Sequence, residues 1–258
     1  MFVKICGITR EDDALLAVAM GADAVGFVFA PSKRQIAPGV ARDIARRLPH
    51  EILTVGVFRD EAPARVVDIV NSAGLRAAQL HGHESSDDTR WVRARVPFVI
   101  KAFAAEDPTL DRFDEFGADA MLIDSPQPGS GEVFDWSLAE RRPRRGRVIL
   151  AGGLNSANVG RAIEQVRPWG VDVSSGVEAE RGEPGQKDAR KVKAFIDAAR
   201  LADPSEADFT AFGPGSADFD ELDEDGERED GVGVGSRPAH ALDEGGPLLY
   251  DWMQDETK

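Results

Sequence analysis

The sequence predicts a closed eight-stranded parallel β/α barrel followed by an acidic tail. Three observations carry that expectation. Short β-branched runs alternate with amphipathic stretches throughout residues 1–201. GADAV at 21–25 returns as GADAM at 117–121, an offset of 96 residues, or four units of 24. The negative charge is confined to one end: residues 202–258 hold seventeen Asp or Glu against three Lys or Arg, a formal −14 of the chain's −15.

The elements follow in order. Strands are expected at 2–6 (FVKIC), 24–29, 52–58, 77–80 (AAQL), 98–103, 120–124 (AMLID), 147–152 and 171–175, with a helical pattern after each. Near-continuous apolar strands, each followed by a helix, imply a parallel sheet covered on its outer face. In both copies of the echo a glycine ends a helix and an apolar strand follows, which suits a left-handed C-cap. Duplication and shared turn chemistry both account for the echo. Its spacing favours an eightfold barrel over an open doubly wound sheet.

Periodicity stops beyond Ala202. The acidic, glycine- and proline-containing stretch there offers too little apolar surface to offset the entropy of ordering it, so 202–258 is expected to be disordered. A cluster at 247–253 (PLLYDWM) is either a short docking helix or a few apolar residues at a solvated end.

Composition excludes several classes. A single cysteine rules out an intramolecular disulfide and a multi-cysteine metal site, and fits a reducing compartment. The N-terminal stretch reads as a strand rather than a leader, and no apolar run approaches the ~18 residues that span a bilayer, so a cytoplasmic protein is expected. No basic face suggests nucleic acid. RRPRRGR at 141–147 reads as an exposed helix end and turn.

In such a barrel the active site forms at the carboxyl ends of the strands. Cys6 and Asp124 both occupy such ends, so a base and an acid could flank one substrate. A thiol with a pKa near 8.5 needs a cation or backbone donors to act as a base near neutrality. AGGLN (151–155) and SSGVE (174–178) place Gly152, Gly153, Ser175 and Gly176 after strands seven and eight, the usual phosphate position in these barrels. PSKRQI offers Lys33 and Arg34 for an anionic group, and the bidentate geometry of guanidinium favours Arg34. QLHGHE sets Gln79, His81 and His83 on one side of an extended segment, without a third convergent metal ligand.

KICGIT, GADAVGFVF, PSKR, QLHG, the aspartate of AMLID, GSGEVFDW, AGGLN and VDVSSGVE occur in this order, and KDARKVKAFI follows at 187–196. The set closely resembles the phosphoribosylanthranilate isomerases of tryptophan biosynthesis over about the first 200 residues. That resemblance implies an Amadori rearrangement of N-(5′-phosphoribosyl)anthranilate, with Asp124 as acid and Cys6 as base. It further implies Arg34 on the anthranilate carboxylate, Asp172 on a ribose hydroxyl, Gln79 and His81 as substrate contacts, and the 152–153 and 175–176 backbone on the phosphate. Gly131 would let its loop pack over the substrate. Pro128 stands where the family more often has a glycine. Proton movement alone calls for no redox cofactor and no metal. A dual-substrate isomerase that also accepts the histidine-pathway aminoaldose is disfavoured, because that chemistry uses two aspartates and the strand-one position is Cys6. A non-catalytic phosphate sensor would have no use for the acid and base pair. The tail's apolar cluster could contact another pathway enzyme.

Overall fold

A computed structural model describes residues 1–125, 136 and 146–203. Gly131, the 247–253 cluster and most of RRPRRGR lie outside the described residues.

The strands are β1 (Phe2–Cys6), β2 (Ala24–Val28), β3 (Leu53–Phe58), β4 (Ala77–Leu80), β5 (Val99–Ala104), β6 (Ala120–Asp124), β7 (Arg147–Leu150) and β8 (Gly170–Val173). All neighbours pair in parallel, and β8 returns to β1 to close the barrel. Alternation then sorts side chains between two cores. Phe2, Leu53, Ile100, Leu122 and Ile149 point inward. Val3, Ile5, Val25, Phe103, Met121 and Leu150 point outward under the helices. Along β1 the inward set is Phe2, Lys4, Cys6, so it turns from apolar to polar towards the carboxyl end.

Helices α1 (Glu11–Ala19), α2 (Pro38–Ala45), α3 (Pro63–Ser72), α4 (Ser86–Arg93), α5 (Val159–Val166) and α6 (Ala189–Ala202) form the outer layer. Pro38 and Pro63 open α2 and α3, where a missing N–H costs nothing. Ser85 caps α4 by accepting from the Asp88 amide at 3.1 Å, and Asp188 caps α6 from two amides.

Three details depart from the sequence expectation. Between β5 and β6 the covering element is a 3₁₀ segment, Leu110–Phe116, rather than an α-helix. Its Leu110, Phe113 and Phe116 are buried, a near-threefold spacing that suits i→i+3 bonding. Strands β7 and β8 stop two residues early, which leaves Ala151, Gly152 and Ser174 in the loops and Ser175 at the start of a 3₁₀ turn, Ser175–Val177. Strand pairing in the extended segment after β4 ends at Leu80, and His83 swings out to 87% side-chain exposure beside Asp60, away from His81.

The 96-residue echo is an echo in hydrogen bonding. Gly21 and Gly117 both adopt left-handed φ, +98° and +62°. Asp23 accepts from the Val3 amide at 2.7 Å and Asp119 from the Val99 amide at 2.7 Å, so each aspartate clasps the strand before its own. Each also pairs with an arginine: Arg200 at 2.7 Å for Asp23, Arg93 at 2.7 Å for Asp119. Both clasps sit at the amino ends of the strands, opposite the mouth.

Candidate active site

At the mouth, Cys6 closes β1, Asp124 closes β6, and Asp172 projects from β8. One cavity is lined by Cys6, Arg34, Gln79, His81, Asp124 and Asp172, among others. A second is lined by Gly152, Gly153, Ser175, Asp124, Asp172 and Ser174. The two share Asp124, Asp172 and Ser174, so one elongated ligand can reach from Arg34 to the glycine loop past both carboxylates.

Cys6 is 7% exposed. Burial pushes its thiol pKa up, the Lys4 ammonium beside it pulls it down, and Asp172 pushes it up again. Lys4, like Glu178 and Lys187, does not stand out in the sequence. It is fully buried and donates to Asp172 Oδ1 at 2.9 Å. Burial works against its charge, but Asp172 and Cys6 more than offset that and hold the ammonium above its usual value. Gly26 makes room for this trio. A Cβ there would lie 2.8 Å from Cys6 Sγ and 3.2 Å from Lys4 Nζ. A second buried cation, Lys187, also adds to the field at Cys6, and burial lowers its own pKa against Glu178.

Asp124 has two oxygens in different roles. Oδ1 accepts from the Ser125 amide at 2.7 Å, and Oδ2 lies 3.1 Å from His81 Nε2. His81 Nδ1 in turn lies 2.6 Å from the Gln79 amide. The amide orientation sets the proton on this chain. With the amide nitrogen towards the ring, Nδ1 accepts and Nε2–H faces a carboxylate. With the oxygen towards it, Nδ1–H donates and Nε2 can take the proton of an Asp124 carboxylic acid.

Arg34 is inside the site and Lys33 is not: their side chains are 9% and 59% exposed. Arg34 Nε binds Glu178 Oε1 at 2.5 Å. Glu178 also gathers Lys33 and Lys187; although burial opposes it, Arg34 and the lysines hold its carboxyl below the usual value. Arg34 Nη2 is buried without a partner among the described residues, as are Gln79 Oε1 and Ser174 Oγ. Buried polar atoms are normally paired, so three orphans around one cavity mark where a ligand's polar atoms fit.

In the second cavity Gly152 and Gly153 both have left-handed φ, +84° and +62°. A Cβ at Gly176 would fall 2.0 Å from the Leu154 carbonyl oxygen, so only glycine lets the two loops approach this closely. Such loops turn backbone N–H groups towards an anion. Among the described residues no cluster of His, Cys, Asp and Glu has the makings of a metal site, and no helix is long and apolar enough to cross a membrane.

The family model described as N-(5′phosphoribosyl)anthranilate (PRA) isomerase matches residues 3–198. The chain belongs to that family. An N-(5′-phosphoribosyl)anthranilate isomerase of Desulforudis audaxviator is 51% identical over 207 residues, covering 78% of this chain and 98% of the relative. One from Oceanobacillus iheyensis is 46% identical over 202 residues, covering 76% and 95%. The phosphoribosylanthranilate isomerase structure from Thermus thermophilus superposes with a TM-score of 0.71 at 42% identity, over 79% of this chain and all of that one. Another PRA isomerase structure, in complex with reduced 1-(o-carboxyphenylamino)-1-deoxyribulose 5-phosphate, gives 0.68 at 42% identity, over 78% and 99%. The PRA isomerase family model thus accounts for the barrel and ends at residue 198, before the acidic tail.

Proposed function

We infer that the protein catalyses the Amadori rearrangement of N-(5′-phosphoribosyl)anthranilate to 1-(2-carboxyphenylamino)-1-deoxyribulose 5-phosphate in tryptophan biosynthesis. The observation that carries it is the pair of cavities that share Asp124 and Asp172, with Cys6 and an orphaned arginine nitrogen in the first and a glycine loop in the second.

The phosphate lies on the backbone of Gly152, Gly153, Ser175 and Gly176, and the anthranilate carboxylate meets Arg34 Nη2. Glu178 holds the guanidinium by Nε, which leaves Nη2 for the substrate. Asp124, as the acid, protonates the ribose ring oxygen; the ring opens and the anthranilate nitrogen forms a Schiff base with C1. The Cys6 thiolate, with the Lys4 ammonium beside it, then removes the C2 proton, and the electrons move through C1 onto the nitrogen to give an enolamine. Returning that proton to C1, while the C2 hydroxyl gives its own to Asp124, yields the ketone and resets both groups. His81 holds Asp124 in place and can share its proton. Asp172, fixed by Lys4, is set to accept from a ribose hydroxyl. Gly131 would belong to the loop over the substrate.

A site of action in the cytoplasm fits a phosphorylated substrate. Because Ala202 ends α6 and Asp203 pairs with the Met1 ammonium at 2.6 Å, the segment proposed to be dispensable for turnover, and to contact another pathway enzyme through 247–253, begins after Asp203 rather than at 202. The direct test of the activity is incubation of purified protein with freshly made phosphoribosylanthranilate. Its fluorescence should decay at a rate proportional to enzyme, and no decay above background would refute the activity.

A further inference from the structure

Resting on the roles of His81 and Asp124 given above, we propose that the buried Lys101–Glu84 ion pair is a positioning unit for the reaction, fixing the loop after β4 so that the His81 ring stays against Asp124.

Lys101 lies in the middle of β5 and is 2% exposed. It projects outward, into the apolar layer beneath the 3₁₀ segment, with its ammonium 5.3 Å from the Phe103 ring and 6.0 Å from the Phe116 ring. An ammonium in such a layer is costly unless its protons are bonded. Its two shortest contacts draw it to the loop after β4, Gly82 O at 2.8 Å and Glu84 Oε2 at 2.9 Å, while Ala102 O of its own strand at 3.1 Å and Leu80 O at the end of β4 at 3.4 Å complete its partners.

Glu84 completes the clamp. Its side chain is 5% exposed, and its carboxylate accepts from the Gly82 amide at 2.9 and 3.1 Å and from the Asp60 amide at 3.0 Å. Asp60, which holds a left-handed φ of +52°, accepts in turn from the His83 amide at 2.6 Å. Both the N–H and the C=O of Gly82 are therefore bound by this one ion pair. Gly82 directly follows His81, whose own amide donates to Phe58 O at 2.8 Å. The peptide on each side of His81 is fixed, and its ring lies on the line between Gln79 and Asp124.

A buried ion pair is a weak source of stability relative to apolar residues of the same volume. What the Lys101–Glu84 pair supplies is one defined loop geometry over a catalytic acid, and a group displaced by about 1 Å can lose ~10²-fold in rate.

The test is the pair of changes Lys101→Met and Glu84→Gln made together, so that neither charge is left alone, compared with His81→Ala and with the triple combination. Turnover is expected to fall ~10-fold or more with KM within ~2-fold, because the phosphate and carboxylate contacts are untouched. In the His81→Ala background the same two changes should add little, since they act through a ring already removed. The chain has four histidines, so ¹⁵N-labelled histidine spectra resolve the His81 ring nitrogens; both resonances should shift in the double variant. Glu84→Gln alone, which keeps an acceptor for the Gly82 and Asp60 amides, should give a smaller loss in kcat and serves if the double variant does not fold. A folded double variant with wild-type kcat and unmoved His81 resonances would overturn the proposal, as would effects that multiply fully with His81→Ala. If His81→Ala itself left kcat intact, the positioning unit would have nothing to position, while Asp124→Asn would still report separately on the acid.

Discussion

The two ends of the barrel treat buried charge differently. At the amino ends of the strands, Asp23 and Asp119 each accept a strand amide and an arginine, so their polar atoms are spoken for within the fold. At the carboxyl ends, Arg34 Nη2, Gln79 Oε1 and Ser174 Oγ are buried and unmatched. The fourth such atom among the described residues, Trp136 Nε1, lies outside both cavity linings. The amino end uses its carboxylates to hold strands together, whereas the carboxyl end pairs Lys4 with Asp172, Arg34 with Glu178 and Lys101 with Glu84 and still leaves three polar atoms for something that is not protein. Changes at the mouth should therefore alter chemistry at nearly constant stability, and changes at the base should do the reverse.

The sharpest test of that contrast is the acid and base pair. Cys6→Ser should lose at least ~10²-fold in turnover, and Asp124→Asn a comparable factor with substrate affinity much less affected. Both should melt within a few degrees of the parent in a thermal scan; a collapse in melting temperature would make them structural residues.

Arg34→Ala is expected to raise KM by ~10- to 100-fold, the worth of a hydrogen bond between charged groups, with a smaller change in kcat. Arg34→Lys should recover only part of this, because lysine cannot both reach Glu178 and offer a second nitrogen. Equal rescue by lysine would reduce the contact to simple charge attraction.

The pH profile probes the Lys4–Cys6 contact. Burial raises the thiol pKa, so kcat/KM should still be climbing above pH ~8.5, where an unperturbed thiol is half ionised. Lys4 stabilises the thiolate, so Lys4→Met should move that rising limb further up. The pH dependence of alkylation of Cys6, the chain's single thiol, should move with it in the absence of any substrate. Coincident alkylation profiles for parent and variant would remove Lys4 from the thiol's surroundings.

At the base, Asp23→Ala leaves the Val3 amide and Arg200 without their carboxylate and should cost about 1–3 kcal/mol in denaturant unfolding, with kcat unchanged where the variant is folded. A loss of turnover at full stability would show that the two ends are coupled. The smallest effect is expected from truncation after Asp203. Both melting and kinetics should hold within error, and a large drop in either would mean that the acidic segment packs on the barrel.

Much of the fold was legible because a parallel barrel strand is buried on both faces and shows as an unbroken apolar run; β1, β4 and β6 begin and end where those runs do. The last expected residues of β7, Ala151 and Gly152, are small and those of β8, Ser174 and Ser175, are small and polar, and there loop geometry wins over β-propensity. The 3₁₀ segment before β6 escaped because its burial spacing is close to that of a helix. At the mouth, the candidate positions Cys6, Arg34, Gln79, His81, Asp124 and Asp172 came together in one cavity. Lys4 and Lys101 did not stand out, since a lysine inside an apolar run looks like an interruption until its partner is known. For Lys4 that partner is 168 residues away, and the pairing exists only once β8 has closed on β1.

The clasp on Val3 also sets a counting rule for the sequence. Val3 faces the helices and Cys6 faces the mouth, three positions further along the same strand. One residue added or removed between them would turn the thiol to the helix layer, and two would keep its facing but shift it by ~6.6 Å along the strand. Length changes can accumulate in the loops above the mouth, whereas the distance from Val3 to Cys6 is as much a part of the site as the thiol itself.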